Sequence, residues 1–490
     1  MYALILRHET RGLTRTPAFA FILVLLAAAM TFGAWSAAQT LGREHRGAQA
    51  VVAAADKQRG KLARDVAGYE RKIAASGGVY EVAAFNHGGG AIPAGTNAGT
   101  VGSTAVAPAI LPQTGLSTFA VGQSDIQLSY IPVTSNSIIT VTRDSELGNP
   151  VNLKRGAFDI SFVVIFLLPI FILAISYDML SSEKERGTLA MVLSHPISLR
   201  KLMLSKMLSR AAIILAVVLA AGFGSLLAVG SNLSSPDTWI RFGLWLSATL
   251  LYSMFWFGLA VLVNSISKNS STNGVVLAGS WLVLVVVAPT LVSVLATTTY
   301  PAPSRFEFIT QSRVVQTEVE KEYMKALDKY YYDHAEFAPK SGGEADFLAT
   351  SLAKNDAVEK AMMPLYNKFR SQLAKQDEMV ASFQFVSPAI MMQRTLNDVS
   401  GASAARYAHF IDQVIEFRGV WTKYFTSRFL AEKALRSADY RRFPKFEYRE
   451  EPVSAVIGRT APSLIGLFAL MSVVLGAAFA ALRRYQVASR

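Results

Sequence analysis

Residues 178–210 read DMLSSEKERGTLAMVLSHPISLRKLMLSKMLSR, and they connect two apolar segments that are each long enough to cross a lipid bilayer. This connection, which we call the elbow, carries three acidic and six basic side chains: Asp178, Glu183, Glu185, Lys184, Arg186, Arg200, Lys201, Lys206 and Arg210. Connections in which Lys and Arg predominate stay on the cytoplasmic side of a membrane. The sequence therefore predicts a cytoplasmic elbow around which the rest of the chain is organised.

The pattern within the elbow predicts two short amphipathic helices that lie flat beneath the membrane. Gly187 interrupts the first helical run, and three apolar residues after it are spaced for one helix face: Leu189, Val192 and Leu193. Pro196 ends that turn, and Ser198 can cap a helix that runs into the next apolar segment. Such helices suit either a groove on another protein or the lipid headgroup layer, and their periodicity leaves both open.

The order of residues in the elbow resembles a signature of ABC-2 type transporter permeases. The match consists of Glu183-Lys184-Glu185-Arg186-Gly187-Thr188-Leu189, then Leu193-Ser194-His195-Pro196-Ile197-Ser198, and finally Lys206. In that family the signature follows the second membrane helix and forms a coupling helix that docks into a cleft of a separate ATPase subunit. The resemblance implies that residues 183–198 are an ATPase-docking site formed by Glu183, Glu185, Arg186, Gly187, Thr188, Leu189, Val192, Leu193, Pro196 and Ser198.

The composition places the chain among membrane proteins. Of its 490 residues 51% are hydrophobic and only 17% are charged, and the mean hydropathy is +0.31, which is too apolar for an ordinary soluble protein of this size. The net charge of +13 is spread over the chain without a nucleic-acid motif, so no nucleic-acid partner is expected. The chain has no cysteine, which excludes disulfides and thiolate metal sites.

Six apolar segments are long enough to be membrane spans: residues 17–38, 160–177, 211–230, 239–263, 274–296 and 459–482. Positive charge in the elbow, in the connection after the fourth segment and in the C-terminal tail predicts that both termini are cytoplasmic. Ser36-Ala37-Ala38 resembles a signal-peptidase site. The first apolar run exceeds the usual ~7–15 residue signal core, however, which favours a retained membrane anchor.

These spans predict a mainly α polytopic membrane protein with six transmembrane helices, a cytoplasmic coupling helix and two extracytoplasmic domains. The predicted order is 1–40 N-terminus and first span, 41–155 extracytoplasmic domain, 156–177 second span, 178–210 elbow, 211–296 third to fifth spans, 297–458 extracytoplasmic domain and 459–490 last span and tail. The first domain reads as a small α+β domain, with a helix ended by Gly77-Gly78 and strands in residues 126–133 and 137–142. The second reads as mainly helical.

Several side chains in or near these domains have two interpretations. Asp159 begins the second span, where a helix cap is favoured over an ion site. The aromatic residues of 297–458 indicate core packing, with a hydrophobic substrate groove as the alternative. Two further motifs, Asn149-Pro150 with Gly156 and Phe158-Asp159, and Phe385-x-Ser387-Pro388-Ala389, resemble an ABC-2 subgroup that has two large extracytoplasmic inserts.

Several motifs of catalysis, metal binding and ion-coupled transport are absent from the sequence. No G-x-x-x-x-G-K-[ST] motif occurs, so the chain is expected to be no enzyme and to bind no cofactor itself, with ATP and Mg²⁺ held by a partner ATPase. The six histidines form no metal-ligand spacing. Charged residues sit at span ends rather than at mid-depth, which disfavours ion-coupled transport. Pro169 and Pro289 allow bends in the second and fifth spans.

These observations predict the permease subunit of an ATP-driven exporter in the bacterial inner membrane, with its large domains in the periplasm. The expected partners are an ABC ATPase dimer, a second permease copy or a paralogue, membrane lipid and an additional periplasmic protein. One alternative keeps the ATPase but has the spans transmit motion to a periplasmic partner without passing a substrate. Another is a receptor or scaffold without energy input. The sequence does not identify a substrate.

Overall fold

The computed structural model describes residues 16–82, 92–122, 129–135, 158–194, 198–266, 269–301, 305–322, 347–431 and 433–485, together with four positions between 323 and 346. Six helices in this part of the chain are long and apolar enough to cross a membrane. We call them spans one to six: Pro17–Ser76, Ile160–Glu185, Leu199–Ala228, Pro236–Ile266, Ser270–Thr299 and Val453–Arg484. The predicted mainly α, polytopic fold is therefore confirmed.

Span one extends far beyond the thickness of a bilayer. It has 60 residues, which corresponds to a rod roughly 90 Å long at 1.5 Å per residue. Pro17 occupies its first turn, where the missing N–H costs nothing, and no later proline interrupts it. Gly77 follows in the left-handed conformation, with φ 62°, and ends the helix as the sequence predicts.

The spans pack around span four, which has four large aromatic side chains that are fully buried: Trp245, Tyr252, Trp256 and Phe257. Gly222 of span three lets that helix approach, because a Cβ atom there would lie 2.7 Å from the ring of Trp245. Gly33 of span one does the same against the backbone of Asp159, at 2.9 Å. Small residues at these crossings allow close helix packing in a membrane, where burial of apolar surface gives little driving force.

Asp159 caps span two, as predicted. Its carboxylate accepts hydrogen bonds from the backbone N–H of Phe162 at 2.7 Å and of Val121 at 2.9 Å, and from the hydroxyl of Ser161 at 2.8 Å. The bond from Val121 comes from another part of the chain. The cap therefore also attaches the connection after span one to the start of span two.

Spans two and five each contain one wide turn of π-helix. The turn is Val163–Leu167 in span two and Leu282–Val287 in span five, and each precedes a proline, Pro169 or Pro289. A proline has no N–H to donate, so the carbonyl groups of the preceding turn lose a partner and the helix is locally weakened. These turns lie where the sequence allowed bends.

The segment between spans one and two contains helix α1 (Ala98–Thr104) and an antiparallel pair of short strands, β1 (Ala107–Ile110) and β2 (Tyr130–Val133). Strand β2 lies within the predicted strand at residues 126–133. The second predicted strand, at 137–142, lies outside the described residues. Pro108 pairs with Pro132, so the centre of this ribbon lacks two backbone donors and the sheet stays small.

The elbow contains α2 (Ser181–Glu185) and α3 (Thr188–Leu193). The segment between spans five and six is mainly helical, as predicted. Its elements are α4 (Arg305–Lys321), α5 (Phe347–Ser382), α6 (Pro388–Ser400) and α7 (Ala404–Leu430), followed by a 3₁₀ turn at Ser437–Arg442.

Both long segments contribute to one hydrophobic core. This core joins Val66 of span one, Val101 of α1, Ile131 of β2, Met362 of α5 and Trp421 of α7. The indole of Trp421, which is 0% exposed, donates a hydrogen bond to the carbonyl of Gly102 at 3.0 Å. The two segments thus share one core, and we call the unit around it the extramembrane module. The buried aromatic residues of 297–458 that the structure describes belong to this core, whereas Phe119 of the first segment and Met391 of α6 lie in the core of the spans.

Ion pairs attach this module to spans four and six at the ends away from the elbow. Arg459 of span six contacts Asp398 of α6 at 2.8 Å and Glu451 at 2.6 Å. Arg241 of span four is fully buried, pairs with Asp237 at 2.9 Å and donates to the carbonyl of Asp398 at 3.2 Å. Each of these charges is held by more than one partner, so charge-assisted hydrogen bonds join both spans to α6.

Candidate functional site

The elbow has two short helices, α2 and α3, which are separated by Gly187 with φ 71°. Ser198 caps the next helix by accepting a hydrogen bond from the N–H of Lys201, as predicted. That helix is span three itself, in agreement with the predicted continuation into the next apolar segment. No proline follows Ser198 within it and its first glycine is Gly222, so the helix continues unbroken from the elbow into the bundle.

Glu183 points toward the bundle, where it pairs with Lys206 of span three. The Lys206 side chain is only 6% exposed, and its ammonium group also donates to the carbonyl of Met179 at 3.2 Å. One turn further along span three, Arg210 donates to the carbonyl of Ile175. Two cations therefore satisfy carbonyls at the C-terminal end of the hydrophobic part of span two, where the helix dipole favours positive charge.

Glu185 contacts the start of span five. Its carboxylate accepts a hydrogen bond from the backbone N–H of Ser270 at 2.7 Å, and the hydroxyls of Ser181 and Ser270 lie 2.8 Å apart. The first N–H groups of a helix have no partner within it, and a negative charge there is favoured by the dipole. The side chain of Glu185 thus acts as a cap for span five.

Two buried asparagines extend this contact. Asn264, in the last turn of span four, donates to the carbonyl of Ser176 at 3.0 Å and accepts from the N–H of Leu180 at 3.1 Å. Asn273 of span five donates to the carbonyl of Tyr177 at 2.9 Å and contacts the Ser181 hydroxyl at 3.1 Å. The two amide groups also touch each other at 3.2 Å. The elbow is therefore attached to spans three, four and five by hydrogen bonds.

The apolar face of α3 packs onto the bundle. Leu189 is 2% exposed and belongs to the core of the spans, and Leu193 is half-buried against the same core. The side chain of Val192 lies outside the described residues. The sequence placed Leu189 on a surface that fills a partner's cleft, whereas the structure places it in this chain's own core. Its apolar spacing is satisfied within the membrane subunit.

The opposite side of the elbow is open. Arg186, Gly187 and Ser194 are exposed, and Met191 is 66% exposed. Thr188 is half-buried and donates to the carbonyl of Glu183 at 3.2 Å. Pro196 lies outside the described residues. Of the predicted site residues that the structure describes, Glu183 and Leu189 thus lie on an inward side that holds the elbow, and Arg186 and Gly187 lie on an outward side that remains accessible.

Sequence reasoning missed Asn264, Asn273 and Ser270. The available signal was weak, since it consisted only of amides at the ends of otherwise apolar spans, where an amide without a partner is costly. Within the residues that the structure describes, no group of three or more His, Asp or Glu side chains is arranged to hold a metal ion. The chemistry of the elbow is hydrogen bonding and charge pairing.

The chain is similar in sequence to known proteins. A family model described as ABC-2 family transporter protein matches residues 3–485. Two curated relatives are each named probable ABC transporter permease protein NosY. The one from Pseudomonas aeruginosa is 33% identical over 121 residues, or 24% of this chain and 43% of the relative. The one from Stutzerimonas stutzeri is 31% identical over 127 residues, or 25% of this chain and 45% of the relative. Each match spans less than half of the relative.

Proposed function

The chain belongs to the ABC-2 family of transporter proteins, and from this premise we propose that it is the permease subunit of an ATP-driven exporter in a bacterial inner membrane. A separate ATPase subunit would bind ATP and Mg²⁺, because this sequence has no P-loop. The observation that carries the proposal is the two-sided elbow. Its inward side is fixed to the bundle, while its outward side presents Arg186, Gly187 and Met191 at the predicted docking position.

The outward side has the composition of a protein-binding surface. Arg186 supplies a fixed positive charge that can pair with a carboxylate, and Met191 supplies an exposed, adaptable apolar side chain. Gly187 permits the sharp turn that brings the two helices together. Glu183 and Leu189 support this surface from behind, whereas Glu185 is exposed and caps span five.

The complete transporter would contain two permease subunits over two ATPase subunits. The second permease is either another copy of this chain or a paralogue. Spans one, five and six leave large apolar side chains exposed for lipid or for that second subunit: Phe21, Val24, Val275, Leu291, Ile465 and Val473. With the elbow on the cytoplasmic side, the extramembrane module lies in the periplasm, where an additional partner could meet it.

The docking proposal is tested by capture of the ATPase. The chain is purified with a candidate P-loop ATPase, sought in the neighbouring reading frames. The Arg186→Glu, Met191→Asp double variant is compared with Arg441→Glu, which reverses an exposed arginine on the extramembrane module. We expect the double variant to retain at least tenfold less ATPase and Arg441→Glu to retain the full amount. Equal capture by both variants, or no nucleotide-hydrolysing subunit at all, contradicts the proposal.

A second function is favoured by the continuity of span one, which enters the extramembrane module without a break. ATP-driven movement of the spans would then act mechanically on a periplasmic partner, with no substrate passing between the helices. Spin labels are attached at Lys72→Cys and Lys375→Cys. In an assembled transporter with two permease subunits, they report distances within one extramembrane module and between the modules of the two subunits. Module distances that stay constant while ATP is hydrolysed exclude this second function.

A further inference from the structure

The elbow is joined to span five by several hydrogen bonds, although span five is distant from it in sequence. Within the described residues, Glu185 and Ser181 both contact Ser270, and Asn273 contacts both Ser181 and the carbonyl of Tyr177. These bonds join segments about 90 residues apart in sequence. Their donor–acceptor distances are 2.7 to 3.1 Å, which is the normal range for hydrogen bonds. Together these bonds fix the first turn of span five against the elbow.

Spans three and four are fixed to the same point. Asn264 uses its carbonyl for the N–H of Leu180 and for Asn273, and its amino group for the carbonyls of Ser176 and Ala260. All four hydrogen-bonding positions of this buried amide are therefore occupied. Lys206 brings span three into the group through Glu183. The amide of Asn264 is thus fully satisfied and central to the cluster, while Asn273 Oδ1 and Glu183 Oε2 are buried without a hydrogen-bond partner among the described residues.

The two spans with wide turns can bend beyond this cluster. The hydroxyl of Tyr252 donates to the carbonyl of Ile165 at 2.8 Å, and the indole of Trp281 donates to the carbonyl of Phe166 at 3.1 Å. Both acceptors lie in the π-turn of span two. In span five, Ser387 donates to the carbonyl of Leu284 in the corresponding turn. Side chains thus replace the backbone bonds that Pro169 and Pro289 cannot make, and the helix ladder is interrupted at both places.

We propose that the elbow moves as one block with the adjoining ends of spans two, four and five, and that Asn264 and Asn273 are the positioning residues that hold this block together. Displacement of the elbow is then delivered directly to span five, while the π-turns of spans two and five absorb the bend. The proposal rests on the proposed function, since a bound ATPase supplies the displacement. It differs from a flexible elbow that slides past span five during each cycle.

An engineered disulfide distinguishes a block from a sliding contact. The chain has no cysteine, so Ser181→Cys with Ser270→Cys introduces a single pair at two hydroxyls that lie 2.8 Å apart. The complex with its ATPase is reconstituted in lipid nanodiscs, oxidised, and assayed for ATP hydrolysis before and after reduction. Each single-cysteine variant serves as a control. We expect the disulfide to form with and without nucleotide, and the cross-linked complex to hydrolyse ATP within about twofold of the reduced one.

Two results would contradict the proposal that the elbow and span five move as one block. One is a loss of more than tenfold in ATP hydrolysis on oxidation that reductant restores, because the elbow and span five must then separate in each cycle. The other is failure of the disulfide to form in any nucleotide state, because the two positions are then not in contact. Failure of the ATPase to bind the unmodified chain is a different outcome, which contradicts the proposed function instead.

A second measurement follows span five directly. A fluorophore is attached at Val275→Cys, which is 74% exposed, and its nucleotide-dependent signal is compared in Asn273→Ala and in Ser280→Ala. Ser280 is also in span five but bonds only within its own helix, to the carbonyl of Val276. We expect Asn273→Ala to retain ATPase binding and to lose at least half of the signal, with Ser280→Ala unchanged. An undiminished signal in Asn273→Ala contradicts the role of that residue.

Discussion

The elbow and the extramembrane module are held in opposite ways. The elbow depends on individual hydrogen bonds and ion pairs to helix ends, in addition to buried apolar side chains such as Leu180 and Leu189. The module depends on a continuous aromatic and aliphatic core to which both long segments contribute. Directional bonds fix position at modest net stability, whereas burial of apolar surface supplies stability without fixing position so narrowly. Under the proposed function, the difference would suit an elbow that receives motion and a module that keeps its shape.

Removal of a central aromatic ring tests whether one core stabilises both segments of the module. Trp421→Ala deletes a fully buried indole and its hydrogen bond to Gly102, and should lower the free energy of unfolding of the module by about 3–5 kcal/mol. Limited proteolysis during a urea titration should then cleave both segments at the same lower denaturant concentration. Trp239→Ala is the matched control, since Trp239 is 45% exposed. Separate transitions for the two segments contradict a shared core.

The elbow should respond to backbone conformation instead of to packing. Gly187 has φ 71° and no atom within 4 Å of an added Cβ, so Gly187→Ala introduces strain without a clash. The expected cost is about 1 kcal/mol or somewhat more, which weakens ATPase binding roughly fivefold. Gly187→Asn, which tolerates the left-handed region better, should recover much of the affinity. Equal affinities for glycine, alanine and asparagine, measured by titration of the ATPase, show that this turn is unimportant for docking.

The smallest change concerns an ion pair at the edge of the module. Arg406 holds Glu450 through two bonds, of 2.8 and 2.7 Å. Burial raises the pKa of Glu450, but the hydrogen bond and charge of Arg406 outweigh burial and leave that pKa lowered. A lowered pKa in the folded state stabilises the module above the ordinary pKa of the carboxyl group, and this stability is lost as pH falls through the lowered value.

Glu450→Gln should therefore cost on the order of 1 kcal/mol at neutral pH and nothing at the acidic end of the titration. The measurement is the thermal midpoint of the module from neutral pH to below pH 4. Glu416→Gln is a control, because its pair with Arg449 is exposed and longer, at 3.3 Å. A constant difference between Glu450→Gln and the unmodified chain at every pH excludes this ion pair as the cause.

Features that depend on neighbouring residues were predictable from the sequence. The six spans follow from long apolar runs, the caps at Asp159 and Ser198 from side chains beside helix starts, and the end of span one from Gly77. In each case the physical cause lies within a few residues of its effect. The elbow was located for the same reason, since its charges and its glycine are contiguous.

Contacts between distant segments were not predictable. Trp421 and Gly102 are 319 residues apart. The residues around an aromatic side chain on a helix do not indicate which distant backbone carbonyl it will contact. The predicted docking residues illustrate the same limit. Glu183 and Arg186 are equally plausible surface charges in sequence, and only the position of Lys206 on span three makes one inward and the other outward.

The length of span one would amplify any tilt of that helix at the bilayer. Some 38 of its residues lie beyond the predicted membrane segment, which gives an arm of about 57 Å. If the helix stays straight, a tilt of about 5° at the bilayer moves its far end by roughly 5 Å. A rotation too small to open a passage between the spans is therefore converted into a displacement large enough to make or break contacts at the tip.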